Sequence, residues 1–72
     1  MEEKVIKIVK EVLETEEINL STTQQNCSAW DSLSSLNIVV ELESEFGIGF
    51  EPEDIAQMDS IEAICNVIKT KL

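Results

Sequence analysis

Apolar residues recur at helical spacing in three separate segments of this 72-residue chain, and this periodicity constrains its fold most. Steps of three and four residues place the apolar side chains of a segment on one side of a helix. We predict a first helix over residues 2–14, a second over Ser32–Phe46, and a last helix opened by a capping box of Asp59 and Glu62. The last helix should turn a core stripe inward. That stripe consists of Ile61, Ile64, Cys65, Ile68 and Leu72.

Residues at the segment ends predict where the helices begin and end. Asp31 can accept hydrogen bonds from free N–H groups in the first turn of the second helix, and Gly47 can end that helix in the left-handed conformation. Pro52 fits the first position of a short helix that continues over residues 53–57. Residues 15–30 show no helical period, so we expect a long loop anchored by three apolar residues. The anchors are Ile18, Leu20 and Trp30. The sequence therefore predicts an all-α fold, a small four-helix bundle of three main helices and one short helix in a single domain.

Charge excludes several classes of partner. The chain carries 15 acidic and 5 basic residues and no histidine, for a net charge of −10. Nucleic acids and anionic membrane surfaces attract basic proteins, so we expect neither as a partner. The longest apolar runs are only a few residues, far short of the roughly 20 needed to cross a bilayer, so we expect no membrane insertion. A basic protein surface is the natural partner, and the same charge opposes self-association, which favours a monomer. Without histidine or a Cys-x-x-Cys pair, the usual zinc sites have no ligands.

The cysteines and the small size add two further expectations. Cys27 and Cys65 do not form a disulfide-dense pattern and no secretory leader is present, so we expect reduced thiols in the cytoplasm. A chain of this length buries only about 60% of its unfolded surface, too little for a deep catalytic cleft. We therefore expect no enzyme. A serine hydrolase in particular would lack a histidine base.

The second helix has two apolar sides. At about 100° per residue, one side faces the core. This core side consists of Ile38, Val39, Leu42 and Phe46. A second set, here called the outer stripe, lies nearly opposite. The outer stripe consists of Leu33, Leu36 and Val40. One small core cannot bury both sides, so the outer stripe is either an exposed docking site or is covered by the short helix or the long loop.

Ser32 lies in the first turn of this helix, directly after Asp31. Free N–H groups and the positive end of the helix dipole favour an anion there, so a phosphate esterified to Ser32 would be well placed. Asp-Ser is also ordinary capping chemistry. The same pair recurs as Asp59-Ser60, and Ser60 is interpreted as a cap because its helix has a single apolar side.

The residues around Ser32 form a longer pattern. Trp30-Asp31-Ser32-Leu33 opens the second helix and Glu45-Phe46-Gly47-Ile48 closes it. With these motifs the chain resembles the acyl carrier protein family over essentially its whole length. The resemblance implies that Ser32 carries covalent 4′-phosphopantetheine. It also implies that acyl groups are bound to this prosthetic group as thioesters in fatty-acid, polyketide or related lipid biosynthesis. It implies that a phosphopantetheinyl transferase recognises Asp31 and Leu33, and that acyl-transferring and acyl-modifying enzymes with basic patches dock along the helix. The expected docking residues are Leu36, Val40, Glu41 and Glu43, whereas the helical wheel turns Glu45 towards the core edge.

Some features depart from the commonest members of the family. Fatty-acid carriers often have acidic residues where this chain has Ser34 and Asn37, and no Gly-Gly pair precedes Ser32 as in many peptidyl carriers. We therefore expect a specialised, discrete carrier. The alternative is an acidic helical adaptor without a prosthetic group, in which Ser32 is only part of a cap. Trp30 is either a core anchor or a contact for the prosthetic arm.

Overall fold

The computed structural model describes residues 1–72 and contains four α-helices and no regular strand, which confirms the all-α prediction. The helices are α1 (Glu2–Leu13), α2 (Ser32–Phe46), α3 (Pro52–Gln57) and α4 (Ile61–Lys71). Glu14 ends α1 in the left-handed conformation and Gly47 ends α2 in the same way, as predicted for Gly47. None of the four helices combines the length and apolar character needed to cross a membrane.

One hydrophobic core lies between α1, α2 and α4. The predicted core side of α2 is buried at Ile38, Val39 and Leu42, and Phe46 is half-buried against it. The predicted stripe of α4 is buried except for Leu72, which is 73% exposed. That prediction was wrong because Leu72 is the C-cap of α4, so the helical period no longer directs its side chain.

α1 and α2 run in opposite directions. Lys4, near the start of α1, lies with its Nζ 3.4 Å from Oε2 of Glu45 near the end of α2. The same Nζ lies 5.9 Å from the ring centroid of Phe46. Glu45 therefore lies at the boundary with α1, on the side to which the helical wheel turns it. The end of α1 and the start of α2 therefore lie at the same end of the pair, where a short turn could join them, so the loop is longer than this connection requires.

The long loop is anchored by Ile18 and Trp30, both buried, but not by Leu20, which is exposed. The prediction for Leu20 was wrong because a tight turn places it at its tip: Thr22 N–H donates to the Asn19 carbonyl at 3.0 Å. Thr22 takes the inner position instead, and its Oγ1 accepts from Asn19 N–H at 2.9 Å. A polar residue can be buried here because its hydroxyl has a partner.

The loop is hydrogen-bonded to the start of α4. Gln24 N–H donates to the Asp59 carbonyl at 2.8 Å, and Ile61 N–H donates to the Thr22 carbonyl at 3.1 Å. A single antiparallel bridge pairs Thr23 with Ser60. This pairing crosses about 37 residues of sequence and has no signal in local periodicity.

The same pairing determines the cap of α4. Ser60 is held in an extended conformation, and its Oγ accepts from Ala63 N–H at 3.0 Å. Ser60 is therefore the N-cap, as its interpretation as a cap requires. The predicted capping box of Asp59 and Glu62 was wrong by one residue, because the bridge to the loop holds the chain extended through Ser60.

α3 contains no fully buried residue; Ile55 packs half-buried against the core, and polar contacts join the helix to α4. Pro52 is its first residue, as predicted. Asp54 Oδ2 accepts from Glu51 N–H at 2.9 Å and lies 2.8 Å from Nζ of Lys71 at the end of α4. The hydrogen bond with Lys71 lowers the pKa of Asp54 and raises that of Lys71. One carboxylate thus both caps α3 and joins it to α4.

Candidate functional site

The start of α2 is organised by Asp31, which is its N-cap as predicted. Asp31 Oδ1 accepts from Ser34 N–H at 2.8 Å, and its backbone carbonyl accepts from Ser35 N–H at 2.9 Å. Hydrogen bonding from Ser34 lowers the pKa of Asp31, so the carboxylate is the favoured form. The first turn of α2 is therefore closed by Asp31 rather than by a neighbouring hydroxyl.

Ser32 is the first residue of α2 and is exposed. Because Asp31 provides the cap, the Ser32 hydroxyl is available for other chemistry. A phosphate ester on this hydroxyl would lie at the positive end of a 15-residue helix, next to the first backbone N–H groups. The exposed position and the helix terminus both fit a covalently attached phosphate group.

Trp30 fixes the chain just before this turn. Its side chain is buried, and its Nε1–H donates to Ser35 Oγ at 2.9 Å. Its backbone N–H donates to the Cys27 carbonyl at 3.0 Å. The interpretation of Trp30 as a core anchor is confirmed. The buried Trp30 indole and the Asp31 cap both bond to the first turn of α2, so the backbone at Ser32 is held in place.

The outer stripe is exposed on the same helix as Ser32. Leu33, Leu36 and Val40 are 71%, 55% and 60% exposed, respectively. Neither the long loop nor α3 covers them, so the alternative in which this side of α2 is buried was wrong. Large apolar side chains side by side on a charged surface are typical of a protein-docking site.

Every charged residue of α2 is acidic. All five basic residues lie in two end segments, at Lys4, Lys7, Lys10, Lys69 and Lys71, so residues 11–68 carry no basic side chain. Glu41 is exposed beside the outer stripe. The arrangement presents an apolar stripe in a negative field, which favours a partner with a basic patch.

Glu43 makes a structural contact that the sequence does not predict. Its Oε2 accepts from Phe50 N–H at 2.9 Å, and the residue is half-buried. The Glu43 carbonyl also accepts from Gly47 N–H at 2.9 Å. Glu43 therefore holds the connection from α2 to α3. No local pattern identifies this contact, because it depends on how the chain turns after Gly47.

The two cysteines lie outside this site. Both thiols are free; Cys65 is buried in the core, as predicted from the α4 stripe, and Cys27 is half-buried in the loop. Burial raises the pKa of the Cys65 thiol, which makes it a poor nucleophile.

Comparison with known proteins identifies the class to which this fold and site belong. A family model described as "Phosphopantetheine attachment site" matches residues 3–68. Two proteins named acyl carrier protein, from Rickettsia bellii strains RML369-C and OSU 85-389, are 31% and 32% identical to this chain over 71 residues. The alignments cover 96% of this chain and 83% and 88% of the relatives.

Solved structures show the same fold. A protein described as an acyl carrier protein of Mycobacterium tuberculosis superposes with a TM-score of 0.86 at 21% identity, covering 96% of this chain and 95% of that one. The solution structure of holo acyl carrier protein from Geobacter metallireducens superposes with a TM-score of 0.85 at 22% identity, covering 97% of this chain and 83% of that one.

The chain belongs to the acyl carrier protein family. It carries acyl groups on covalently attached 4′-phosphopantetheine, as the resemblance implied. The alternative of an adaptor without a prosthetic group was therefore wrong. Acyl carrier proteins are in general non-catalytic and interact with phosphopantetheinyl transferases and acyl-handling enzymes.

Proposed function

We propose that Ser32 is the residue to which 4′-phosphopantetheine is attached. One observation carries this proposal: Ser32 is exposed at the first turn of α2, with Asp31 closing the turn and the exposed outer stripe on the same helix. Ser60 also begins a helix after an aspartate, but its Oγ is engaged as the N-cap of α4. The two Asp-Ser pairs therefore differ in what their hydroxyls do.

The bound group supplies a thiol on a long arm, on which an acyl group is held as a thioester. The chain itself supplies the attachment hydroxyl and its surroundings. The α2 dipole and the first N–H groups stabilise the negative charge of the phosphate ester on Ser32. Asp31 and the buried Trp30 keep the first turn of α2 in one conformation. The chain performs no chemistry on the acyl group, which the partner enzymes modify.

Recognition follows from the exposed side of α2. We propose that the transferase contacts Asp31 and Leu33, which flank Ser32. Acyl-transferring and acyl-modifying enzymes dock on Leu36 and Val40, with basic side chains near Glu41. Such rim charges speed association and set register more than they add affinity, which suits a carrier that must leave each enzyme quickly.

Glu43 is a weaker docking candidate than Glu41. One of its oxygens is bonded to Phe50 N–H, so only the other is free to meet a basic side chain. A partner that drew this carboxylate away would break the hydrogen bond to Phe50 N–H, which holds the connection to α3.

The departures from common fatty-acid carriers support a specialised, discrete carrier. Ser34 and Asn37 stand at positions that are often acidic in those carriers, and Asn37 is exposed beside the outer stripe. We propose a single carrier domain that acts as a monomer in the cytoplasm, within fatty-acid, polyketide or related lipid biosynthesis. The single core supports one domain, and the net charge of −10 opposes self-association.

The test is the intact mass of the apo protein after incubation with coenzyme A and a broad-specificity phosphopantetheinyl transferase. Ser60→Ala is the matched control for Ser32→Ala, because both serines follow an aspartate at the start of a helix. We expect the wild type and Ser60→Ala to gain one phosphopantetheine and Ser32→Ala to gain none. A modified Ser32→Ala protein, or a folded wild type that gains nothing, would overturn the proposal.

A further inference from the structure

α1 and α2 leave an open groove of about 730 Å³ next to the outer stripe. Its apolar lining comes from both helices: Ile8 and Val12 of α1 and Val40 of α2. Three glutamates also line it. These are Glu11 of α1 and Glu41 and Glu45 of α2. The groove therefore offers apolar surface and negative charge together.

The charges of this groove are only partly balanced. Glu45 pairs with Lys4 at 3.4 Å, but Glu11 and Glu41 pair with no basic residue of the chain. The two remaining ion pairs of the protein lie elsewhere, between Lys10 and Glu16 and between Lys71 and Asp54. Two exposed carboxylates from different helices are thus left to attract a positive charge into the same groove.

We propose that this groove accepts a long cationic side chain from a helix of an acyl-handling enzyme, an inference that rests on the proposed docking function of α2. An arginine or lysine has an aliphatic stem that can lie along Val12 and Val40 while its charged end meets Glu11 and Glu41. The groove is continuous with the outer stripe, because Val40 belongs to both. The partner surface therefore extends beyond α2 onto α1.

Neutralising Glu11 tests whether partners contact the groove or only α2. It lies on α1, outside the outer stripe and outside the turn that presents Ser32. If partners touched only α2, neutralising Glu11 would weaken binding no more than neutralising any exposed glutamate of this acidic chain. Glu53, an exposed residue of α3, provides that comparison because Glu53→Gln makes the same change of charge outside the groove.

The experiment is an NMR titration of the ¹⁵N-labelled holo protein at physiological salt. The probe is a helical peptide with leucines on one face and two arginines four residues apart, and a second peptide carries neutral citrulline in place of arginine. We expect the arginine peptide to shift the backbone resonances of Val12 and Ser44, and the citrulline peptide to bind much more weakly. Glu11→Gln should weaken binding of the arginine peptide by about threefold, and Glu53→Gln should change it little.

A second variant tests whether the peptide occupies the volume of the groove, independently of the charge of its glutamates. Ser44 is exposed and lines the groove, so Ser44→Trp should fill it without touching the core and should remove the shift of Val12. Circular dichroism melts verify that each variant is folded. Equal effects of Glu11→Gln and Glu53→Gln, or unchanged binding to Ser44→Trp, would overturn the inference. Mass spectrometry of Ser32 loading, run on the same samples, separates this failure from a failure of the attachment proposal.

Discussion

Leucine-to-alanine substitutions on the two apolar sides of α2 should affect different properties of the protein, because one side is buried and the other is exposed. Leu42 is completely buried in the core, whereas Leu36 is 55% exposed in the outer stripe. The two residues are six positions apart, which separates them by about 120° around the helix. We predict that Leu42→Ala impairs folding and that Leu36→Ala impairs docking.

The magnitudes follow from burial. Removing a fully buried leucine side chain costs about 2–5 kcal/mol through lost apolar transfer energy and the cavity left behind. A domain of this size has a total stability of roughly 4–11 kcal/mol, so Leu42→Ala removes a large part of it. A loss of about 3 kcal/mol lowers Tm by about 12–24 °C. Leu36→Ala should change the free energy of unfolding by no more than about 0.5 kcal/mol, because it leaves no cavity.

The assays separate stability from docking. Urea denaturation followed by circular dichroism measures the free energy of unfolding. The rate at which an acyl-transferring enzyme acylates the holo protein measures docking, at a temperature where both variants are folded. Leu36→Ala should lower kcat/KM of this acylation by about tenfold if the side chain is a contact worth about 1.4 kcal/mol, with Leu42→Ala close to wild type. Equal destabilisation by the two substitutions, or unchanged acylation of Leu36→Ala, would refute the assignment of a core side and a docking side to α2.

Three further predictions concern the caps and the cysteines. Ser60→Ala should lower the free energy of unfolding by about 1 kcal/mol without affecting loading, and an unchanged urea midpoint would contradict the N-cap. The lowered pKa of Asp31 means that its carboxylate stabilises the fold above its ordinary pKa of 3.8 and loses this effect as the pH falls through the lowered value. The stability difference between wild type and Asp31→Asn should therefore be present at neutral pH and vanish in acid; a difference independent of pH would argue against it. In the apo protein, iodoacetamide should label the half-buried Cys27 faster than Cys65, whose burial raises its pKa, and peptide mass spectrometry would reveal the reverse order.

Much of the candidate site could be read from local pattern. The Asp31 cap, the stop at Gly47 and the two sides of α2 each depend on spacing within one helix, and the structure contains all of them. Local pattern left open whether the long loop or the short helix covers the outer stripe. Neither does, because the loop is hydrogen-bonded to the start of α4 and α3 packs against α4.

The errors share a physical cause. The predicted start of α4 was one residue too early, because a loop distant in sequence pairs with Ser60. Leu20 was expected inside, but a turn closed between Asn19 and Thr22 faces it outward. Glu43 was expected only as a docking residue, and its bond to Phe50 N–H across the α2–α3 connection was not predicted. Each contact joins residues whose proximity depends on the path of irregular backbone.

By itself, the sequence determined the helices, their apolar sides, the negative charge and the motif that marks Ser32, because all of these depend on side-chain chemistry at fixed local spacing. Only the tertiary structure decided whether the outer stripe is covered, where α4 begins, and that α1 and α2 leave an open groove with unpaired Glu11 and Glu41. Helical periodicity assigns each side chain a direction around its own axis. It does not set the distance or angle to another helix, and those are decided by packing and by hydrogen bonds of the loops.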